Sequence, residues 1–367
     1  MYLILLACFV LIPMQQHAVV IEQMKKIPES SSYKMQFIDL GETDIPLDQL
    51  NYYALPVTYA PQINDQRQVT CNQINFGVVR GTSPDFISPQ ISSIKSKCYG
   101  INNLGDIILG FERHHYDIDW MLWSQKNFTT IGSKRIELDD VQGTDLHLRS
   151  INDSKMAVGL FKPAGMLRPV IWTPEDGLHH LGYYLGWDIA GVIWDVNSSG
   201  TVVGYINEDT LKTPFLWSKA KGLSRLTHFK QHWKETTHHH LDAFPLFADL
   251  VISDNNLLYG TFWANPQDQT GPTYAFWWDS QSDSFRKLDL DGMRINAISS
   301  TDTLVGSWNG QAALCDTGNR PVALAALAKD LSPDWKLIDA TDINNHGDIV
   351  GYALFKNKPH YFMLKRL

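Results

Sequence analysis

Three groups of side chains in this 367-residue chain have the types that chemistry needs. The first is histidine: "HWKETTHHH" carries His232, His238, His239 and His240, with His228 just before it and His114–His115 elsewhere. Neutral imidazoles hold zinc or nickel when two or three converge. The spacings that place ligands on one helical face are missing here, unless His228 and His232 share a short helix. The run therefore reads as a polar loop, with no metal or cofactor expected. The second group is acidic. Asp117, Asp119, Asp188 and Asp209 are loop acids that would serve as the paired carboxylates of glycoside chemistry if two of them faced each other. The third is aromatic. Phe111, Phe161, Tyr205, Trp263, Trp308 and Tyr352 each follow a recurring glycine, and "LGYYLGWDIAGVIW" adds Tyr183, Tyr184 and Trp187. Rings beside aspartates suit the stacking of a sugar, and the competing reading is burial between neighbouring units. The candidate ligand-binding set is Tyr183, Tyr184, Trp187, Asp188, Trp263 and Trp308. No catalytic residue is assigned, because GxSxG, HExxH, P-loop and CxxC motifs are all absent.

The elements that would position these groups are short strands. Twelve tryptophans and 25 glycines separate β-rich segments, and no helical period runs beyond about three turns. "PVALAALAKDL" is the clearest helix candidate, although it opens on strand-like residues. Lysine and arginine total 31 against 39 aspartates and glutamates, a net charge of −8. No concentrated basic stretch exists to displace counterions, so nucleic acid is not an expected partner.

A hydrophobic anchor followed by a turn recurs seven times, at Ile63, Ile101, Ile151, Val196, Ile252, Ile298 and Ile343, spaced by 38, 50, 45, 56, 46 and 45 residues. Periods of 40–50 residues in a β-rich chain indicate propeller blades. Four residues past the anchors stand Arg67, Gly105, Lys155, Gly200, Asn256, Asp302 and Gly347. Most are types that tolerate positive φ, as a hairpin with a left-handed residue requires; Arg67 and Lys155 predict mild strain. Asn64, Asn102, Asn152, Asn197 and Asn344 open the same turn and are placed to bond forward to the backbone. Eight residues past the anchor, Gly159, Gly204, Gly260, Gly306 and Gly351 recur, with Gly110 one residue late. A strand glycine of this kind marks a bulge or a close backbone approach. Third strands ending at Trp123, Trp172, Trp217 and Trp278, and fourth strands ending at leucine or isoleucine, complete the unit.

The last unit stops at "HYFMLKRL" without a fourth strand, and the missing strand stands at the other end as "MQFIDLG", residues 35–41. The expected fold is all-β: a seven-bladed propeller over residues 35–367, four antiparallel strands per blade, closed by that N-terminal strand. Ahead of it, the apolar N-terminus reads as a signal peptide or membrane-targeting segment over 1–18, with a linker over 19–34. A lipoprotein box ending at Cys8 and translation from Met24 are the alternatives, the latter giving a cytoplasmic protein. After such a cut Cys71, Cys98 and Cys315 remain; a Cys71–Cys98 bridge and three buried thiols are both open.

The order seen in "INNHGDIVGY", "TPFLWSKAKGLSRL" and "RPVIWTPEDGLHHLG" resembles the HAF-type repeat of extracellular bacterial proteins. The resemblance covers residues 35–367 and implies a propeller-like repeat protein, secreted or at the cell surface or periplasm. It brings no catalytic residues. The function read from the chain is non-enzymatic binding of a glycan or protein ligand by a monomer, without membrane insertion, on the face carrying the variable loops. The alternative is a glycoside hydrolase or lyase using loop carboxylates near the central channel.

Overall fold

The computed structural model describes residues 34–43, 60–73, 76–81, 95–112, 118–124, 127–133, 136–138, 141–163, 166–208, 211–237, 246–263, 273–316, 320–329 and 331–367. The proposed signal segment, most of the 42–61 link and His238–His240 lie outside them. All seven residues four past the anchors have positive φ: Arg67 (62°), Gly105 (79°), Lys155 (61°), Gly200 (77°), Asn256 (61°), Asp302 (59°) and Gly347 (80°). Each turn is closed by a backbone pair such as Gly347 N–H to Asn344 O at 3.0 Å. Local turn chemistry thus fixes where every first hairpin reverses.

The strands form an all-β propeller arrangement of small sheets. Six sheets have four or five strands and a further one, Gln62–Gly81, has three among the described residues, so six complete blades are present rather than the seven expected. The innermost strand of the short sheet, Gln62–Ile63, is only two residues long. The last blade is completed by Met35–Glu42, which pairs antiparallel with Lys358–Arg366 and buries Met35 and Leu40. Two short strands add to this plan: Ile136–Leu138 pairs with the start of Val141–Ile151, and Ala328–Lys329 pairs parallel to Met35–Gln36. The helix candidate is not a helix. Val322–Ala323 is a strand, Leu324–Ala326 one 3₁₀ turn and Ala328–Lys329 a strand again, because sheet pairing outweighs alanine's weak helix preference.

The side chains of the repeated asparagines do two jobs. Their Oδ1 accepts from the backbone N–H four residues on, as at Asn152 from Met156 (3.0 Å) and Asn344 from Asp348 (2.9 Å). Their Nδ2 donates to the backbone carbonyl at the corresponding position of the next sheet: Asn64 to Asn102 (2.9 Å), Asn102 to Asn152 (3.0 Å), Asn152 to Asn197 (3.0 Å) and Asn197 to Ser253 (2.9 Å). Asn344 returns to Asn64 at 3.1 Å, joining the last sheet to the first. Ser253 and Ser299 replace two amides, and their hydroxyls accept from their own turns. One residue on, a parallel set runs through Asp65 N–H to Asn103, Asn103 N–H to Asp153, Ser300 N–H to Asn345 and Asn345 N–H to Asp65.

The recurring glycines explain the inner wall. Each of Gly159, Gly204, Gly306 and Gly351 pairs with the residue just before a bulge in the innermost strand, and the bulged residues are Arg149, Trp194, Asn296 and Thr341. A Cβ on those glycines would collide with the carbonyl oxygens of His147, Val192, Arg294 and Asp339, respectively. Both sequence readings of the glycine, bulge and close approach, describe one feature seen from two strands. Trp172, Trp217 and Trp278 are buried in the packing between sheets, as their position in the repeat implied.

Arg67 and Lys155, the two exceptions at the left-handed position, reach back to an adjacent sheet. Arg67 Nε meets the fully buried Asp348 at 2.7 Å, and Lys155 Nζ donates to Ser124 Oγ at 2.9 Å near Asp106. Arg67→Gly relaxes the backbone by about 1 kcal/mol but leaves a buried carboxylate without its cation, which costs more. We expect net destabilisation of roughly 1–3 kcal/mol by urea unfolding; a variant as stable as the parent would show the ion pair to be idle.

Candidate functional site

Tyr183, Tyr184, Trp187 and Asp188, four of the six candidates, gather on one link between blades. The chain leaves strand Gly177–His180, makes helix α1 (Leu181–Leu185), and stops at Gly186 with φ 75°. A left-handed glycine ends the helix and lets Trp187 turn outward. Tyr183 is 57% and Trp187 45% exposed, while the helix is held by buried Leu181. Tyr183 stacks on His179 with centroids 3.9 Å apart and planes 16° apart. Tyr184 packs edge-on to Tyr183 and tilts against the buried Trp217, each at 5.2 Å. The Arg225 guanidinium lies 5.4 Å from the Trp187 ring centroid. Asp188 accepts from Arg168 Nη2 at 2.6 Å and from its own helix-exit neighbour, Ile189 N–H, at 2.9 Å. Met166, two residues before Arg168, is 46% exposed. The segment therefore runs along the outer edge of the third and fourth sheets: Tyr184 Oη reaches Asp176 at 3.4 Å in the turn before Gly177–His180, on the hairpin side, and Asp188 with Arg168 lies at the loop end.

The other two candidates are elsewhere. Trp263 is buried and Trp308 is half-buried against the core, as are the equivalents Phe161, Tyr205 and Tyr352, all buried. At this repeat position the rings pack between sheets, the competing reading given above. The Phe111 side chain lies outside the described residues.

The histidine run resolves in part. Helix α2 (Phe229–Thr237) buries Phe229 and Trp233, one turn apart, in a cluster with Phe247, Phe262 and Phe276. His232 sits over Phe285 with its Nε2 3.7 Å from Asp283. Among the described residues no three His, Cys, Asp or Glu side chains converge as metal ligands. Of the loop acids, Asp188 is an ion-pair partner and Asp119 lies on a third strand; Asp117 and the Asp209 loop are outside the described residues.

Sequence reading named the central channel but not the residues that line it. A cavity of about 250 Å³ opens among the asparagine turns, on the face opposite the loops. Its mouth carries Asp65, Asn103, Asp153, Ser198, Asp254 and Asn345, and its wall carries the bulged Arg149, Trp194, Asn296 and Thr341 with Ser150, Asp195 and Asp342 beside them. Asp195 accepts from Ser150 Oγ and Val196 N–H, both 2.8 Å. Asp342 accepts from Ile343 N–H at 2.8 Å and, across the junction of last and first sheets, from Ile63 N–H at 2.9 Å. Burial raises both carboxyls, Asp342 to about 7 despite its backbone donors, with Asp195 and Asp65 pushing it further. Burial also lowers Arg149 to about 10, and its guanidinium covers the Trp194 ring at 4.9 Å. Asp249 and Arg294 form a buried pair at 2.7 Å. The signal that could have found this wall was the glycine itself: the residue after the one opposite it on the preceding strand is the one a bulge re-aims.

Fold and site together define a β-propeller with an exposed aromatic segment at its outer edge and a polar channel. No family model matches the chain, and no curated protein does. Among solved structures it is similar to TolB from Acinetobacter baumannii (9% identity, 83% of this chain and 62% of that one, TM-score 0.41). It is also similar to a chain of the S. cerevisiae Dbp5 complex with Nup159 and Gle1 (12% identity, 91% and 96%, 0.47) and to AofleA from Arthrobotrys oligospora (10%, 74% and 83%, 0.40). The chain thus spans less than two thirds of that TolB. These likenesses carry nothing about ligand or activity.

Proposed function

We propose that the protein is a non-enzymatic binding propeller that takes a glycan on the patch built by Tyr183, Trp187 and Asp188. The observation that carries this reading is the exposure of Tyr183 and Trp187, rings whose neighbours His179 and Arg225 fix their orientation. Large apolar rings left in water mark an interaction surface. A sugar offers C–H faces to such rings, and its hydroxyls suit the Arg168–Asp188 pair and Arg225, which together donate and accept. A protein ligand on the same surface is the competing occupant. The HAF-type reading, export to the surface and a monomeric state belong to the same proposal. No helix of the described residues is long and apolar enough to cross a membrane.

The experiment is a glycan array with the full chain, followed by affinity measurements on Trp187→Ala. Losing a stacked ring is worth about 1–2 kcal/mol, so roughly tenfold weaker binding is expected with unchanged stability. An array without hits, together with capture of a protein partner lost in the same variant, would favour the protein ligand.

A second reading, a glycoside hydrolase or lyase, draws on Asp195 and Asp342, two channel acids with raised pKa. Reducing-sugar release from a polysaccharide panel, abolished by Asp342→Asn, would establish it.

A further inference from the structure

We infer that the central channel is a second binding site, specific for a small organic ammonium ion held between the carboxylates of Asp195 and Asp342. It is lined by the innermost strands, apart from the Tyr183–Asp188 segment at the outer edge, and stands or falls independently of the glycan reading.

The cavity is lined by Asp65, Asp153 and Asp254 at its mouth and by Asp195, Asp249 and Asp342 in its wall. Arg149 is the one lysine or arginine lining it among the described residues. Asp249 has its own buried cation in Arg294. Asp195 and Asp342 do not: the bonds described for them come from Ser150 Oγ and from the N–H groups of Val196, Ile252, Ile343 and Ile63. Their remaining neighbours are mostly acids, Asp254 beside Asp195 and Asp65 beside Asp342, with Arg149 the lone positive group near Asp195.

A cleft of one sign with low-dielectric walls focuses its field on an entering counter-ion. The charge wanted is positive. The carboxylates are not grouped three together as a metal ion requires, so the occupant bridges spaced acceptors, as an alkyl ammonium does with its N–H donors. The volume, about 250 Å³, admits a small molecule and excludes a folded partner. Such an ion binds the ionised carboxylates, so affinity rises as pH passes upward through the range in which Asp342 and Asp195 lose their protons.

Isothermal titration calorimetry of the full chain with putrescine and spermidine, beside 1,4-butanediol as the uncharged control, tests this at about pH 6 and about pH 8. Both amines are expected to bind, tighter by roughly tenfold at the higher pH, with the diol silent. Asp195→Asn combined with Asp342→Asn removes both negative charges, at the cost of one backbone acceptor at each site because the donors meet both carboxylate oxygens, and should weaken the amines at least about tenfold. Amines binding no better than the diol, affinity independent of pH, or an unchanged double variant would each overturn the inference. The diol and pH comparisons decide the matter on the parent chain even where the double variant fails to fold. Glycan binding lost through Trp187→Ala should be untouched by either asparagine substitution.

Discussion

Gly351→Ala is expected to be among the most damaging single substitutions in the molecule. An alanine Cβ at 351 would overlap the Asp339 carbonyl oxygen and crowd the Ala340 Cα and the Phe362 ring. The obstacle is backbone of the neighbouring strand, which no rotamer change relieves. Relief requires moving the bulge at Thr341, and with it Asp342 and its bond to Ile63 N–H. Overpacking of this kind costs about 3 kcal/mol or more. Urea unfolding followed by circular dichroism measures it, and Gly177→Ala is the control. Gly177, unlike Gly351, has positive φ, 80°, and an added Cβ there meets nothing within 4 Å, so its cost is conformational, about 1 kcal/mol. Equal losses at both sites would mean that the close approach at 351 is not what demands glycine.

Asn152→Ala and Asn152→Asp separate the two roles of the repeated amide. Asn152 is 5% exposed, its Oδ1 accepting from Met156 N–H and its Nδ2 donating to Asn197 O, each at 3.0 Å. Alanine removes both bonds; Met156 N–H loses its acceptor, whereas Asn197 O keeps Gly200 N–H at 3.1 Å, for a loss of about 1–3 kcal/mol. Aspartate keeps the acceptor that closes the turn but places a carboxylate against the carbonyl of Asn197. If the bridge between blades matters, aspartate retains most of the alanine penalty. If the asparagine serves its own turn alone, aspartate behaves like the parent. The same pair of measurements at Ser253, where the hydroxyl bonds within its own turn, should show a smaller effect.

These two experiments mark the boundary between what was legible in the chain and what was not. The turn at each anchor was legible because positive φ is a property of single residues, and Gly105, Gly200, Asn256, Asp302 and Gly347 announce it. Closure by Met35–Glu42 was legible because a repeat with a missing strand and a stray strand at the other end have one economical solution. The bridging amides were not legible, since an asparagine that caps its own turn and one that also ties two sheets together have the same letter. The supplementary strand Ala328–Lys329 arises from pairing with the distant Met35–Gln36, which no local pattern encodes, whereas Ile136–Leu138 pairs with the nearby Val141–Gly143 through a hairpin that the repeat pattern did not include. The same limit applied to the site. Tyr183, Tyr184, Trp187 and Asp188 come together because they are neighbours in the chain. Trp263 and Trp308 were grouped with them by repeat position, and that position packs inward. The channel wall is assembled from one or two residues of each inner strand, Arg149 with Asp195 and Asp342, and only the ring brings them within one cavity.

The Tyr183–Asp188 segment follows an edge strand and the channel is lined by the strands at the other edge of each sheet, so their ligands need not compete. The central claim is that the exposed rings of the Tyr183–Asp188 segment are a sugar-stacking surface. A crystal structure of the full chain with the oligosaccharide that binds best on the array tests it most directly. The account predicts a sugar ring lying flat on Trp187 or Tyr183, with a hydroxyl hydrogen-bonded to Asp188 or Arg168. An oligosaccharide seated in the channel, or anywhere away from residues 183–188, would contradict it.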